Sequence, residues 1–161
     1  MDFMILPGHL AAGYLAAHYA KLDEKVALVA AVFPDVVDKT CRYVLHLTPN
    51  GRIPMHSLIG LLLTTGLIWL ILRRQRIALA WAAGYGSHLM ADVLTDVLQY
   101  GGRLEYLAWP FARGQVSQYT TLFGSVLDYV IWVFLAEGLV CVWALVIFWR
   151  GRRRERAAAS S

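Results

Sequence analysis

The sequence predicts an all-α membrane protein: a polytopic helical bundle with three long transmembrane helices plus a short N-terminal helical hairpin. Three observations carry that expectation. Hydrophobic residues make up 58% of the 161-residue chain, against roughly 45–50% in a soluble domain. Only 16% of residues are charged, and six Trp and eight Tyr exceed what a small soluble core requires. The charges also gather between long apolar runs, the arrangement that a bilayer-crossing chain needs.

The elements follow in order. Residues 9–20 and 26–33 are short apolar pieces joined by Lys21-Leu22-Asp23-Glu24-Lys25. Neither reaches the roughly 20 residues of a full span, so they read as a helical hairpin packed on the longer helices. Backbone groups in lipid must be bonded internally, which makes helix the expected form. Residues 57–72, apolar apart from Thr64 and Thr65, form the first long span. Residues 77–100 form the second, interrupted by Ser87, His88, Asp92 and Asp96; such a face turns to protein or water, not to lipid. Residues 122–149 form the third. The expected organisation is one membrane-embedded domain, 1–149, and a basic cytoplasmic tail without fixed structure, 150–161. Residues 1–10 lack the basic stretch and cleavage site of a signal peptide.

The net charge of +4 comes largely from two arginine groups, Arg73, Arg74 and Arg76, and Arg150, Arg152, Arg153, Arg154 and Arg156. Each abuts an apolar run, as anchors attracted to anionic lipid do. A nucleic-acid surface would instead be a basic stripe on a soluble face, so nucleic acid is excluded as a partner. Placing both groups in the cytoplasm puts ten Lys and Arg inside and five outside, namely Lys39, Arg42, Arg52, Arg103 and Arg113. The positive-inside rule then predicts a multi-pass protein of the cytoplasmic membrane with its C-terminus inside. Cys41 and Cys141 fall in a loop and in a span, so neither a disulfide nor a zinc finger is expected.

This layout brings His9, Asp35, Asp38, His56, His88 and Asp92 to one depth, at the outer face. His88 and Asp92 are four apart and project from one side of a helix, where an imidazole nitrogen and a carboxylate oxygen can grip one cation. Asp35 and Asp38 close the helix that ends Phe33-Pro34-Asp35-Val36-Val37-Asp38-Lys39. His56 opens the next, after Arg52-Ile53-Pro54-Met55. An aspartate deep in a bilayer costs about 2.5–3.5 kcal/mol on insertion scales, so Asp92 needs a partner. Mixed His and Asp donors suit zinc, then manganese or iron(II), with magnesium a poorer match.

With those pieces identified, the chain resembles the YdjM-like family of inner-membrane metal-dependent hydrolases. The matching segments are Gly8-His9, Pro34-Asp35-Val36-Val37-Asp38-Lys39, His56-Ser57, Gly84-Tyr85-Gly86-Ser87-His88-Leu89-Met90-Ala91-Asp92 and Trp109-Pro110. Many members carry Pro-Asp-x-Asp, whereas here two residues separate Asp35 from Asp38. The order of ligands also resembles part of the zinc-dependent phospholipase C and nuclease pattern. That resemblance implies one ion on Asp35, His56, His88 and Asp92 and a second on His9 and a shared Asp92. The further His-x-x-x-Glu motif of those enzymes is missing, which argues against a three-metal cluster.

The resulting expectation is a metal-dependent hydrolase holding one or two divalent ions on His9, Asp35, His56, His88 and Asp92. Asp38 would be an outer ligand or general base, and Lys39 and Arg52 phosphate anchors. Its substrate would be amphiphilic, a phospholipid or polyprenyl-phosphate ester met at headgroup level. Two rival readings use the same residues, a metal or proton transporter and a non-catalytic scaffold stapled by metal. No G-x-S-x-G or paired Cys/His nucleophile occurs. Thr95 and Asp96 are expected as supporting partners and Asp128 as an extra ligand, while His18 and His46 lie away. Glu137 sits deeper, paired with a tyrosine, tryptophan or backbone group. Trp109, Pro110 and Phe111 read as an interfacial anchor, Gly101-Gly102 as a helix end, and Gly84 and Gly86 as close-packing positions.

Overall fold

The computed structural model describes residues 6–49, 51–100, 104–112 and 126–159. Five α-helices run α1 Leu6–Ala20, α2 Glu24–Tyr43, α3 Leu58–Leu72, α4 Gln75–Tyr100 and α5 Val126–Ala159, with a 3-10 turn at Glu105–Ala108 before α5. The turn between α1 and α2 ends at Asp23, whose carboxylate accepts the N–H groups of Lys25 and Val26, donors that a helix start otherwise leaves unpaired. Ser57 caps α3 in the same way through the Gly60 N–H. At the other end of α3, Arg73 takes the left-handed conformation that turns the chain into α4.

The all-α class holds, but three long spans do not. Helix α3 has 15 residues, about 22 Å at 1.5 Å each, short of the roughly 30 Å hydrocarbon core. Helix α4 has 26 residues, but its polar positions break the apolar run. Among the described residues one helix is long and apolar enough to cross a membrane, Ile131–Ala159, whose most apolar 18-residue stretch has mean hydropathy 2.4. Only 6% of its most apolar stretch is buried, so it is not a core helix, and it fits membrane insertion. Two other expectations change with it. Helix α2 does not close within Phe33–Lys39 but continues through Pro34 to Tyr43. Helix α5 carries on through the arginines to Ala159, so 150–159 is helix and not a tail without fixed structure.

Helices α1, α2 and α4 pack at backbone distance because small residues face each other. Ala17, Ala27, Ala30, Ala31 and Ala80 are fully buried. A Cβ on Gly84 would overlap the backbone of Ala27, and one on Gly13 would stand 2.7 Å from the Ala31 Cβ. Small-residue faces are how helices approach closely enough for short side chains to meet. Gly86 has open space beside it, so its expected packing role is not what the fold uses. Tyr85, Ala30 and Leu89 form a core into which Phe33, Met55, Leu61, Trp81 and Leu107 pack.

Helix α5 lies along α1 through Ala144 against Ala11 and Leu15. Tyr14 meets Phe148 and Tyr19 meets Trp143, with the Trp143 indole N–H donating to the Tyr19 hydroxyl at 3.1 Å. Numbers rise on one helix as they fall on the other, so the two are antiparallel. Helix α1 starts at the end that holds His9 and leads away from it; α5 therefore leads toward it. The two arginine groups, expected on one side, sit at opposite ends. Arg73 and Arg74 are in the turn at the far end of α3, and Arg150–Arg156 are beside the start of α1.

Candidate metal centre

The start of α1, the middle parts of α2 and α4 and the segment leading into α3 bring together His9, Asp35, His56, His88 and Asp92. His9, His56, His88 and Asp92 are buried, and Asp35 is partly open. Two overlapping sets, His9–His88–Asp92 and Asp35–His56–His88, each have their donor atoms within 4.8 Å of one another. His56 Nε2 stands 3.1 Å from His88 Nε2, 3.4 Å from Asp35 Oδ1 and 3.4 Å from Asp92 Oδ2. His88 Nε2 is also 3.4 Å from Asp92 Oδ2. Donors held about 2.0–2.1 Å from a tetrahedral ion stand about 3.3–3.4 Å apart, so each of these pairs is spaced to share one ion. The second oxygen of Asp92, Oδ1, faces His9 Nε2 at 3.7 Å, and His9 stacks on His88 with ring centroids 3.9 Å apart.

The outer ring of hydrogen bonds decides which nitrogens are free. His88 Nδ1 is 2.7 Å from the carbonyl of Ala31, which only accepts, so that nitrogen carries the hydrogen. His56 Nδ1 is 2.7 Å from Asp38 Oδ2 and donates to it. Neutral imidazoles with hydrogens on Nδ1 expose lone pairs on Nε2, and here the two lone pairs face each other. That pairing is repulsive unless a positive charge stands between them. A cation meets this requirement, and a shared carboxylate–histidine–metal chain is the usual means of orienting such ligands. Pro34 lies beside this arrangement inside α2; it has no N–H to bond the carbonyl one turn back, next to the Ala31 carbonyl that His88 uses.

The electrostatics agree. Burial disfavours charge on His56, but hydrogen bonds to Asp35 and Asp38 and the nearby Asp92 outweigh it and push its pKa up to about 9. A proton thus gathers where a metal ion would sit. Burial, with His88 beside it, brings His9 down to about 4, leaving a neutral ligand. Burial works against ionising Asp92, yet His88, His56 and Arg52 hold it at about 2. Asp35 is held well below the usual carboxylate range against the same burial by His56 and Lys39. Ionised carboxylates and a neutral imidazole are the protonation states that metal binding needs.

The remaining expected site residues divide. Asp38 is fully buried and does not face the centre. Its oxygens accept the N–H groups of Met55 and His56 and the His56 ring, so it orients His56. Lys39 pairs with Asp35 at 2.9 Å. Arg52 is turned to Asp96 at 2.5 Å and lies 5.4 Å from the Tyr106 ring. Thr95 donates to the Ala91 carbonyl. His18 pairs with Glu24 at the far end of α1, and His46 is exposed after α2. Phe111 is exposed and Trp109 half-buried. The Asp128 side chain and Gly101-Gly102 lie outside the described residues. Sequence reasoning missed Tyr85, fully buried, whose hydroxyl donates to the Met55 carbonyl and ties the His56 segment to α4. Its signal was its place in Gly84-Tyr85-Gly86-Ser87-His88, three residues before the ligand.

The family described as YdjM inner membrane protein matches residues 4–159. The chain belongs to that family. Neither a curated protein nor a solved structure matches it. Membership of the YdjM family, described as an inner membrane protein, agrees with the one helix among the described residues that is long and apolar enough to cross a membrane, and all the segments quoted for the resemblance lie within the matched region.

Proposed function

We propose that this YdjM-family protein is a metal-dependent hydrolase of the inner membrane, acting on an amphiphilic phosphoester. The observation that carries it is the facing pair of His56 and His88 Nε2 atoms, 3.1 Å apart, with oxygens of Asp35 and Asp92 each 3.4 Å from His56 Nε2. Nitrogen and oxygen donors in that geometry suit zinc first, with manganese and iron(II) as alternatives. A bound cation would supply an activated water at neutral pH and stabilise oxyanion charge. The chain's own residues do the rest. Asp38 and the Ala31 carbonyl fix two ligand rings. Asp35 is the most open ligand, so substrate approaches on its side. Lys39, 38% exposed, is held there by Asp35; once a cation shares that carboxylate, the ammonium is available to a phosphate. Arg52 is committed to Asp96 and supports the wall of the site.

A second reading has one observation in its favour. Both candidate groups, His9–His88–Asp92 and Asp35–His56–His88, consist of protein donors alone, as structural zinc sites do, and metal there would staple α1, α2, α4 and the segment leading into α3. Purified protein in detergent separates the two by metal analysis together with turnover of labelled phospholipids and chromogenic phosphodiesters. The hydrolase reading expects stoichiometric metal and turnover, both lost in Asp92→Asn, and turnover alone lost in Lys39→Gln. Metal bound stoichiometrically with no turnover of any phosphoester would leave the structural staple.

A further inference from the structure

We propose that the metal centre opens toward the cytoplasmic leaflet, on the face that carries the α5 arginines, and that these arginines seat this face on anionic headgroups. The sidedness rests on geometry and charge alone; that the substrate is drawn from this leaflet rests on the hydrolase reading.

The first step is the depth of the centre. Tyr14 lies against Phe148 on antiparallel helices. Five residues back along α1 is His9, and five residues on along α5 is Arg153. The two are therefore at about the same height. Arg153 is four residues beyond Trp149, the last residue of the apolar run, or about 6 Å at 1.5 Å per residue. Headgroup layers are roughly that thick on each side of the hydrocarbon. The ligand cluster thus lies level with phosphates, not in the middle of the bilayer.

The second step is the side. Arg150, Arg152, Arg153, Arg154 and Arg156 follow the apolar stretch of α5, whereas residues 114–130 before it contain no Lys or Arg. Positive charge close to a span end decides orientation, and it marks the cytoplasmic side. The arginines are exposed, free to meet an anionic surface at about 1 kcal/mol per residue. Counting the described residues over the whole molecule gives the same answer. Lys39, Arg42 and Arg52 join the five arginines at the end that holds the centre, and Lys21, Lys25, Arg73, Arg74 and Arg76 lie at the other. The sequence alone put the centre on the outer face with the C-terminus inside. The antiparallel packing of α1 and α5 does not allow both, and the charge belongs with α5.

The test uses the full chain in its membrane, with Cys41→Ser and Cys141→Ala removing the native thiols. Leu47→Cys places a thiol at a 71% exposed position after α2, at the end that holds the centre. Ala159→Cys places one at the exposed end of α5. A membrane-impermeant maleimide is applied to intact cells and to inverted membrane vesicles, with labelling in detergent as the full signal. Both thiols are expected to label in inverted vesicles and stay protected in intact cells. Changing the five arginines to glutamine is expected to abolish the preference of both together. Labelling of Leu47→Cys from outside with Ala159→Cys from inside overturns the proposal, as does labelling of both from outside. Neither readout involves metal or turnover, so this result stands apart from the hydrolase test.

Discussion

Asp38 Oδ2 stands 2.7 Å from His56 Nδ1, and the same carboxylate accepts the backbone N–H groups of Met55 and His56. One buried carboxylate therefore sets both the path of the chain into α3 and the rotation of a ligand ring. Replacing Asp38 by Asn keeps the shape and removes the charge. Partners of this kind contribute about 10–100-fold to metal affinity. Asp38→Asn is expected to weaken binding by that range while the five ligands remain, measured by competition with a chelating dye. Unchanged affinity would show that Asp38 serves only the backbone.

The pH dependence of stability follows from two histidines that work in opposite directions. His56 has its pKa raised from 6.5 to about 9. The stability it contributes is full below pH 6.5 and lost as pH rises through 9. His9 is lowered from 6.5 to about 4, so its contribution is present above pH 6.5 and lost as pH falls through 4. The chelator-treated protein is expected to have its highest Tm near neutrality and to lose stability on both sides. With metal bound, the cation replaces the proton at His56 and the alkaline loss disappears. Thermal scans in detergent at several pH values, with and without chelator, check this. Equal alkaline slopes in both samples would mean that His56 is not where proton and metal compete.

The glycines of α4 provide a paired test of packing. A Cβ at position 84 would overlap the Ala27 backbone, while position 86 faces open space. Gly84→Ala must push α2 from α4, and overpacking of this kind costs about 1–3 kcal/mol. Because Asp35 faces His88 across that interface, metal affinity should fall with stability. Gly86→Ala is expected to be neutral or stabilising, by up to about 1 kcal/mol of helix propensity. Thermal denaturation and metal titration of the two variants distinguish them. Similar losses in both would show that α2 and α4 are not in backbone contact.

The clustering of His9, Asp35, His56, His88 and Asp92 was legible in the sequence for a physical reason. His88 and Asp92 share a helix face by their spacing alone, and Asp92 in an apolar helix demands a partner. His9, Asp35 and His56 could be added because each sits where an apolar run meets polar residues. The role of Asp38 was not legible, since two carboxylates three apart at a helix end look alike until the path of residues 52–57 is known. The partner of Arg52 was not legible for a similar reason. The nearness of Arg52 in sequence to His56 suggested a role at the site, but its partner, Asp96, is 44 residues away. The three long spans failed because the apolar run at 57–72 makes a helix of only 15 residues and the polar positions of α4 break its apolar run. The shared side expected for the two arginine groups failed because the pairing of α5 with α1 is a tertiary contact that no local pattern records.

Arg52 and Asp96 supply a test of whether that pair is support or substrate contact. Asp96 is 1% exposed and takes two hydrogen bonds from one guanidinium nitrogen, at 2.7 and 2.5 Å. Removing one partner of a buried pair leaves an uncompensated charge, at a cost of about 3–5 kcal/mol, whereas replacing both by apolar side chains is often neutral or better. Arg52→Met alone is therefore expected to destabilise the fold strongly. The double variant Arg52→Met with Asp96→Leu should recover most of the loss. Metal affinity in the double variant should stay close to that of the parent, because neither residue faces the ion. A phosphate-anchoring Arg52 predicts a different pattern: the double variant would fold and bind metal yet show a large rise in KM for phosphoesters. Denaturation, metal titration and steady-state kinetics on these two variants decide between a supporting pair and a binding residue.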